Sequence, residues 1–439
     1  MPDRRPCYLG ALAPELVEHI LSQLDSISAL GNFITSCRYV HGCFKRQQEN
    51  LVFHVLSNEL GPVLVDARFL CKFPYADPGD SPQEWTAYWD GLHTGAEMYR
   101  GWLNADRDRH GQGDAAPSPE ELTQLCHTLH EMNFLTRTYV TAQQQSRSRF
   151  GPLAGRAPLS RAECLRILRA FYRRQIVCNA WAPTKREPYW TERDVAAISN
   201  TSDHQGVPLG LLAAFEPWEL QQIDHVNHFV ARLCVALTLV GEEEGQEADF
   251  GEIFSHMDEL TRYLRSHSKL ADAALRALPS LPRLTSRELL DAAPAYSQLS
   301  QRYCLPCLRY AWQASRLDKF PDPARDKSEH QQQQQQQQGE DGEEGGSNGT
   351  TIDFVGDNVE LPPFGWVDAL DGCYVNWFGE ALHSEVGTSS YNSLELSLAR
   401  HDSLELWTAA GFALWDRWRV EAIKELDQTR QLRTGWIVH

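Results

Sequence analysis

The sequence predicts a mainly α-helical protein: an N-terminal three-helix unit packed on a larger helical domain, with a disordered Gln-rich and acidic insertion. Three observations predict it. Apolar residues recur through most of the chain at the spacing of one helix face. Several of these runs open on serine or threonine with glutamate three residues later, the reciprocal cap of a helix start. One stretch, 321–350, has almost nothing apolar to bury, so it cannot offset the entropy of ordering.

Residues 12–24 read Leu-Ala-Pro-Glu-Leu-Val-Glu-His-Ile-Leu-Ser-Gln-Leu. Pro14 suits the first turn of a helix, where its missing N–H costs nothing. Glu15 and Glu18 favour the positive end of the helix dipole. Leu16, Ile20 and Leu24 share one face, and Val17 and Leu21 widen it. Asp25 to Ser28 reads as a polar turn, with Ser28 expected to cap a second helix carrying Leu30, Phe33, Ile34 and Cys37. A third apolar set follows at Tyr39, Val40, Cys43 and Phe44. A unit of about 40 residues is too small for a strong core of its own. It must bury its faces against the rest of the chain, against a partner, or both.

Farther along, Ser118-Pro119-Glu120-Glu121 predicts a helix start, followed by Leu122, Leu125, Cys126 and Leu129. Ser160 with Glu163 predicts another, with Cys164, Leu168, Phe171 and Tyr172 on one face. Its other faces carry Arg161, Arg166, Arg169, Arg173 and Arg174, expected as a solvated surface. The same stripe could hold an acidic partner or the chain's own acidic loops. Helices are also expected over 217–240, 250–278 and 285–300, the last with the capping pair Thr285 and Glu288 and a kink at Pro294. Loops are expected at Asp106–Pro117 and Gly241–Asp249.

The clearest boundary lies near residue 320, where Pro321-Asp322-Pro323 leads into the glutamine run Gln331–Gln338 and an acidic, glycine-rich stretch. This divides the chain into the N-terminal segment 9–50, a helical body 51–320, a linker 321–350 and a mostly helical region 351–439 packing on the body. That last region begins irregularly at Pro362-Pro363, with short strands expected between Ile352 and Phe378 and helix around 393–428. Trp366, Trp377, Trp407, Trp415 and Trp418 are expected in the core rather than in a binding groove.

A net charge of −18 argues against nucleic acid and anionic membranes as partners, since both need a cationic face. The longest apolar stretch, Phe229–Val240, is broken by Arg232 and falls short of the ~20 residues that cross a bilayer. It reads as a buried helix. No signal-peptide pattern follows Arg4 and Arg5, so the expected location is cytoplasmic and/or nuclear. The 11 scattered cysteines then read as reduced core residues.

The N-terminal segment resembles an F-box, which opens Leu-Pro-x-Glu-Leu, continues with Ile and Leu on the first helix, and carries a later Cys-Arg. The matching positions are Leu12, Glu15, Leu16, Ile20, Leu24, Leu30, Cys37 and Arg38. The continuation Val55–Ala67, with Asn58-Glu59-Leu60-Gly61-Pro62, is similar to one large group of fungal F-box-like proteins. So is Gly411-Phe412-Ala413-Leu414-Trp415-Asp416. Ala13 stands where the family has proline, and the turn between Leu24 and Leu30 is one residue longer than the usual pattern. The resemblance implies an adaptor that recruits a target protein to a ubiquitin ligase. Its partner would be the Skp-type adaptor of a cullin–RING ligase. The contacting residues would be Leu12, Pro14, Leu16, Ile20, Leu21, Leu24, Leu30, Ile34 and Cys37. The alternative is a scaffolding protein whose F-box-like helices belong to its own core.

Catalytic spacing is absent from the sequence: there is no Gly-x-Ser-x-Gly elbow, phosphate-cradling glycine loop or His-Glu-x-x-His. Neither an enzyme nor a cofactor is expected. Cys304 with Cys307, His225 with His228, and Cys126 with His127 and His130 are small clusters that would have to converge to give four zinc ligands. Core cysteines and capped or surface histidines are the expected reading, with no metal.

Overall fold

The computed structural model describes residues 8–73, 91, 94–104, 117–147, 158–181, 211–243, 256–278, 358–360, 363, 365 and 411–422. The insertion 321–350, the helix expected over 285–300, the strands expected near 352–378, and Cys304, Cys307, Trp366, Trp377 and Trp407 lie outside them. Every regular element among the described residues is helical. In chain order these are α1 (Pro14–Ser22), α2 (Ile27–Ser36), α3 (Arg38–Arg46), α4 (Gln48–Leu60), α5 (Leu64–Lys72), α6 (Pro119–Arg147), α7 (Arg161–Trp181), α8 (Pro217–Glu243), α9 (Met257–Ser266) and α10 (Ser268–Ala277). Residues 94–104 are also helical.

Among the described residues, two hydrophobic clusters stand out. The first gathers Val17 and Leu21 of α1, Leu30 of α2, Val40, Cys43 and Phe44 of α3, and Leu51 and Val55 of α4. The second fills the body and takes Leu56 and Leu60 from the far half of α4. That helix therefore serves both cores, and the N-terminal cluster extends past residue 50. Gly61 ends α4 at φ +51°, a conformation that a side chain would strain. Pro62 and Val63 then turn the chain into α5.

The body is built around α7 and α8, with α5, α6, α9 and α10 packed about them. Residues 217–243 form one helix, so α8 runs into the loop expected from Gly241. By length and composition its residues 218–241 would suffice to cross a membrane, and most of that stretch is buried here inside the body. Arg232, which interrupts the apolar run, donates from Nη2 to the Leu278 carbonyl at 2.6 Å. The helix expected over 250–278 is two helices where it is described, broken at His267, whose ring stacks on Tyr263 with centroids 4.3 Å apart. The break lets α9 pack on α6 while α10 packs on α8.

The arginine stripe on α7 is not solvated. Arg166, Arg169, Arg173 and Arg174 are all buried, and Arg161 alone of the five is exposed. A helix buried on nearly every face can carry such charges only if other elements neutralise them. Arg169 and Arg173 donate from Nε to the two oxygens of Asp66 on α5, at 3.1 and 2.8 Å. Tyr99 hydrogen-bonds the same carboxylate. On the other side, Glu219 of α8 lies 2.6 Å from Arg173 Nη1, and Glu360 lies 3.1 Å from Arg169 Nη1. The chain's own acids cover Arg169 and Arg173, mostly from neighbouring helices rather than from the acidic loops, while Arg174 donates from Nε to Asn227 Oδ1 of α8 at 3.0 Å.

A second buried network fastens the C-terminal segment. Ser160 and Glu163 form the expected reciprocal cap: Glu163 N–H donates to Ser160 Oγ at 3.0 Å and Ser160 N–H to Glu163 Oε2 at 2.9 Å. The same carboxylate takes both arms of Arg419, at 2.7 and 2.8 Å. Arg166 reaches Asp416 Oδ1 at 2.5 Å, and Ser160 Oγ donates to the other Asp416 oxygen. Gly411 sits at φ +82°, and a Cβ there would come 3.2 Å from the Tyr139 hydroxyl, so the bend that delivers this segment requires glycine. Trp415 is buried in this junction, as expected of a core tryptophan.

Candidate functional site

The first helix begins without a side-chain cap, because Ala13 occupies the N-cap position and Pro14 the first helical one. Another element compensates. The Tyr39 hydroxyl on α3 donates to the Leu12 carbonyl at 2.6 Å and holds the chain where α1 starts. Arg46 at the end of α3 pairs with Glu18 at 3.0 Å. These contacts were not legible from residues 9–24, because the partners lie 27 and 28 residues away along the chain.

The helix then divides its apolar residues. Val17 and Leu21 are fully buried in the unit's own cluster. Leu16 and Ile20 keep 53% and 37% of their surface exposed. Among the described residues the large apolar side chains left exposed are these two and Met98, so the bias toward α1 is real rather than scattered. Of the other expected contact residues, Leu30 is buried and points into the unit's core, while Leu12, Pro14, Leu24, Ile34 and Cys37 are half-buried. Leu21 and Leu30 thus serve the unit's own core in this arrangement, and the solvent-facing part of the expected face narrows to Leu16 and Ile20.

The turn after α1 has its own fastening. The cap of α2 is Ser26, not Ser28, with Ala29 N–H donating to its hydroxyl at 3.2 Å. Ser26 has the extended backbone that a cap requires, whereas Ser28 lies inside the first turn. The Ile27 N–H finds Glu59 Oε2 at 2.7 Å. The amide of Asn58 donates to the Ser22 and Leu24 carbonyls at 2.8 and 3.0 Å. Asn58-Glu59 was read from the sequence only as part of a resemblance, and here it closes the turn.

A cleft beside Gly411, lined by Tyr139, Leu159, Glu163, Ile167, Leu414 and Trp415, has a cavity volume of about 10 Å³, far below the ~300–1,000 Å³ of ligand pockets. Among the described residues no three His, Cys, Asp or Glu side chains converge as metal ligands. His225 is buried in α8, and burial together with nearby His228 lowers its pKa to about 3. Burial pushes the Cys178 thiol up and Cys234 to about 12, which disfavours the nucleophilic thiolate. Burial pushes the Glu219 carboxyl up, yet Arg173 and Arg169 outweigh it and hold the group down at about 2.

No family model, curated protein or solved structure matches the chain.

Proposed function

We propose that this protein is an interaction adaptor: its N-terminal helices dock a Skp-type subunit of a cullin–RING ubiquitin ligase, and its body holds a target protein. The observation that carries the reading is the exposure of Leu16 and Ile20 on α1, in a unit whose own core is already closed by Val17 and Leu21. A helix that needs only one of its apolar edges for folding has the other available for a partner. The resemblance of residues 9–50 to an F-box supplies the partner class. The reading assigns no catalytic residue, since such an adaptor positions rather than reacts, and it has the chain acting in the cytoplasm and/or nucleus.

The energetics set how large the contact must be. Fully burying a leucine or isoleucine is worth roughly 1.5–3 kcal/mol, and association costs about 4–15 kcal/mol. Leu16 and Ile20 alone would not hold a partner, so the half-buried Leu12, Leu24, Ile34 and Cys37 must add area when α1 to α3 are covered. The burial of Leu21 and Leu30 favours the scaffolding alternative, in which these helices serve the chain's own core alone. Affinity purification of the full chain with mass spectrometry separates the two. The adaptor reading expects a Skp-type subunit with the parent chain and its loss with Leu16→Glu plus Ile20→Glu. A parent chain that recovers no such subunit supports the scaffold.

A further inference from the structure

We propose that Asn58 and Glu59 are positioning residues that fix the direction in which α1 presents Leu16 and Ile20 relative to the body. Both lie in the last turn of α4, the helix whose first half closes the N-terminal cluster and whose second half is sunk in the body core. Asn58 spends its side-chain amide on the Ser22 and Leu24 carbonyls, where α1 ends. Glu59 accepts the Ile27 N–H, where α2 begins. Two adjacent side chains therefore grip the turn 23–26 from both ends. The body grips them in turn: Asn133 of α6 donates to Glu59 Oε1 at 2.9 Å, and Arg161 of α7 donates to the Asn58 carbonyl at 2.6 Å.

The bonds are of the kind that set geometry. A carboxylate receiving a helix-start N–H gains from its charge and from the helix dipole. With both Glu59 oxygens occupied, one by α2 and one by α6, the carboxylate bridges unit and body directly. A turn one residue longer than the F-box pattern has more conformational freedom, and this grip removes it. The consequence rests on the docking reading: a fixed angle fixes where a target held by the body lies relative to the ligase subunit.

The test measures orientation in the full chain. Spin labels on unnatural ketone residues at His19 and Gln124, both exposed, report the separation of α1 and α6 by double electron–electron resonance. The proposal expects one narrow distance distribution in the parent chain. It expects a distribution at least twice as broad in Asn58→Ala with Glu59→Ala, with helix content and thermal midpoint of the body unchanged. Glu59→Gln, which keeps an acceptor for Ile27 N–H, should restore the narrow distribution. An unchanged width in the double variant, or a parent chain that is already broad, overturns it. Should the double variant lose helicity, Glu59→Ala alone is read by the same criterion. Binding of a purified Skp-type subunit is measured on the same samples. A parent chain that is narrow but does not bind sinks the docking reading and leaves the clamp standing.

Discussion

Asp66 accepts from two buried arginines and a tyrosine, so its removal leaves Arg169 and Arg173 short of a counter-charge in the core. Breaking one side of a buried pair typically costs about 3–5 kcal/mol. Asp66→Ala should lower stability to denaturant by that amount, while replacement of the exposed Arg161 should cost little. His225 makes a second residue-level prediction, with a sign. Its folded pKa, about 3, lies below the ordinary 6.5, so the unfolded chain takes up a proton first as pH falls. Stability is complete above about pH 6.5 and declines below it, at up to ~1.4 kcal/mol per unit. Glu219 is also depressed, to about 2, but its loss begins only below about pH 4.5. Between pH 6.5 and 5 His225 contributes a falling slope that Glu219 does not, and His225→Phe should remove that contribution in urea titrations followed by circular dichroism. Neither effect was legible in the sequence. Arg166, Arg169 and Arg173 look like a polar helix face, and the acids that cover them lie roughly 50 to 250 residues away along the chain.

Individual helices were easier to read than their surroundings. The 3.6-residue spacing places α1, α2, α3, α6, α7 and α8 because that spacing is local, and the reciprocal Ser160–Glu163 cap forms as its residues suggest. The start of α6 is only half so: Glu121 N–H reaches Ser118, but the carboxylate turns to Arg68 at 2.8 Å. In α1 the spacing says which residues share an arc but not which edge of it a neighbour covers. Val17 and Leu21 are covered by α3 and α4, and Leu16 and Ile20 are not. Exposed positions tolerate substitution within about 0.5 kcal/mol. Leu16→Glu with Ile20→Glu should therefore leave the thermal midpoint nearly unchanged. The same change at Leu21 should unfold the unit, because it buries an unpaired charge.

Across the whole molecule, the segments 358–360 and 411–422 return to the body and complete its ion pairs. Glu360 meets Arg169, Asp416 meets Arg166, and Arg419 meets Glu163. Ending the chain at residue 350 should abolish a cooperative thermal transition, because Glu163 and Arg166 would stay buried without these partners. Deleting only the glutamine run 331–338 should leave the transition intact. At the other end, α4 joins the N-terminal cluster to the body, so a partner covering α1 would be coupled to whatever the body binds. The measurement that bears most directly on this account is calorimetric titration of the full chain with a purified Skp-type subunit. Saturable binding that disappears in Leu16→Glu with Ile20→Glu, with helix content retained, is the predicted result. No binding by the parent chain, or equal binding by the variant, would contradict it.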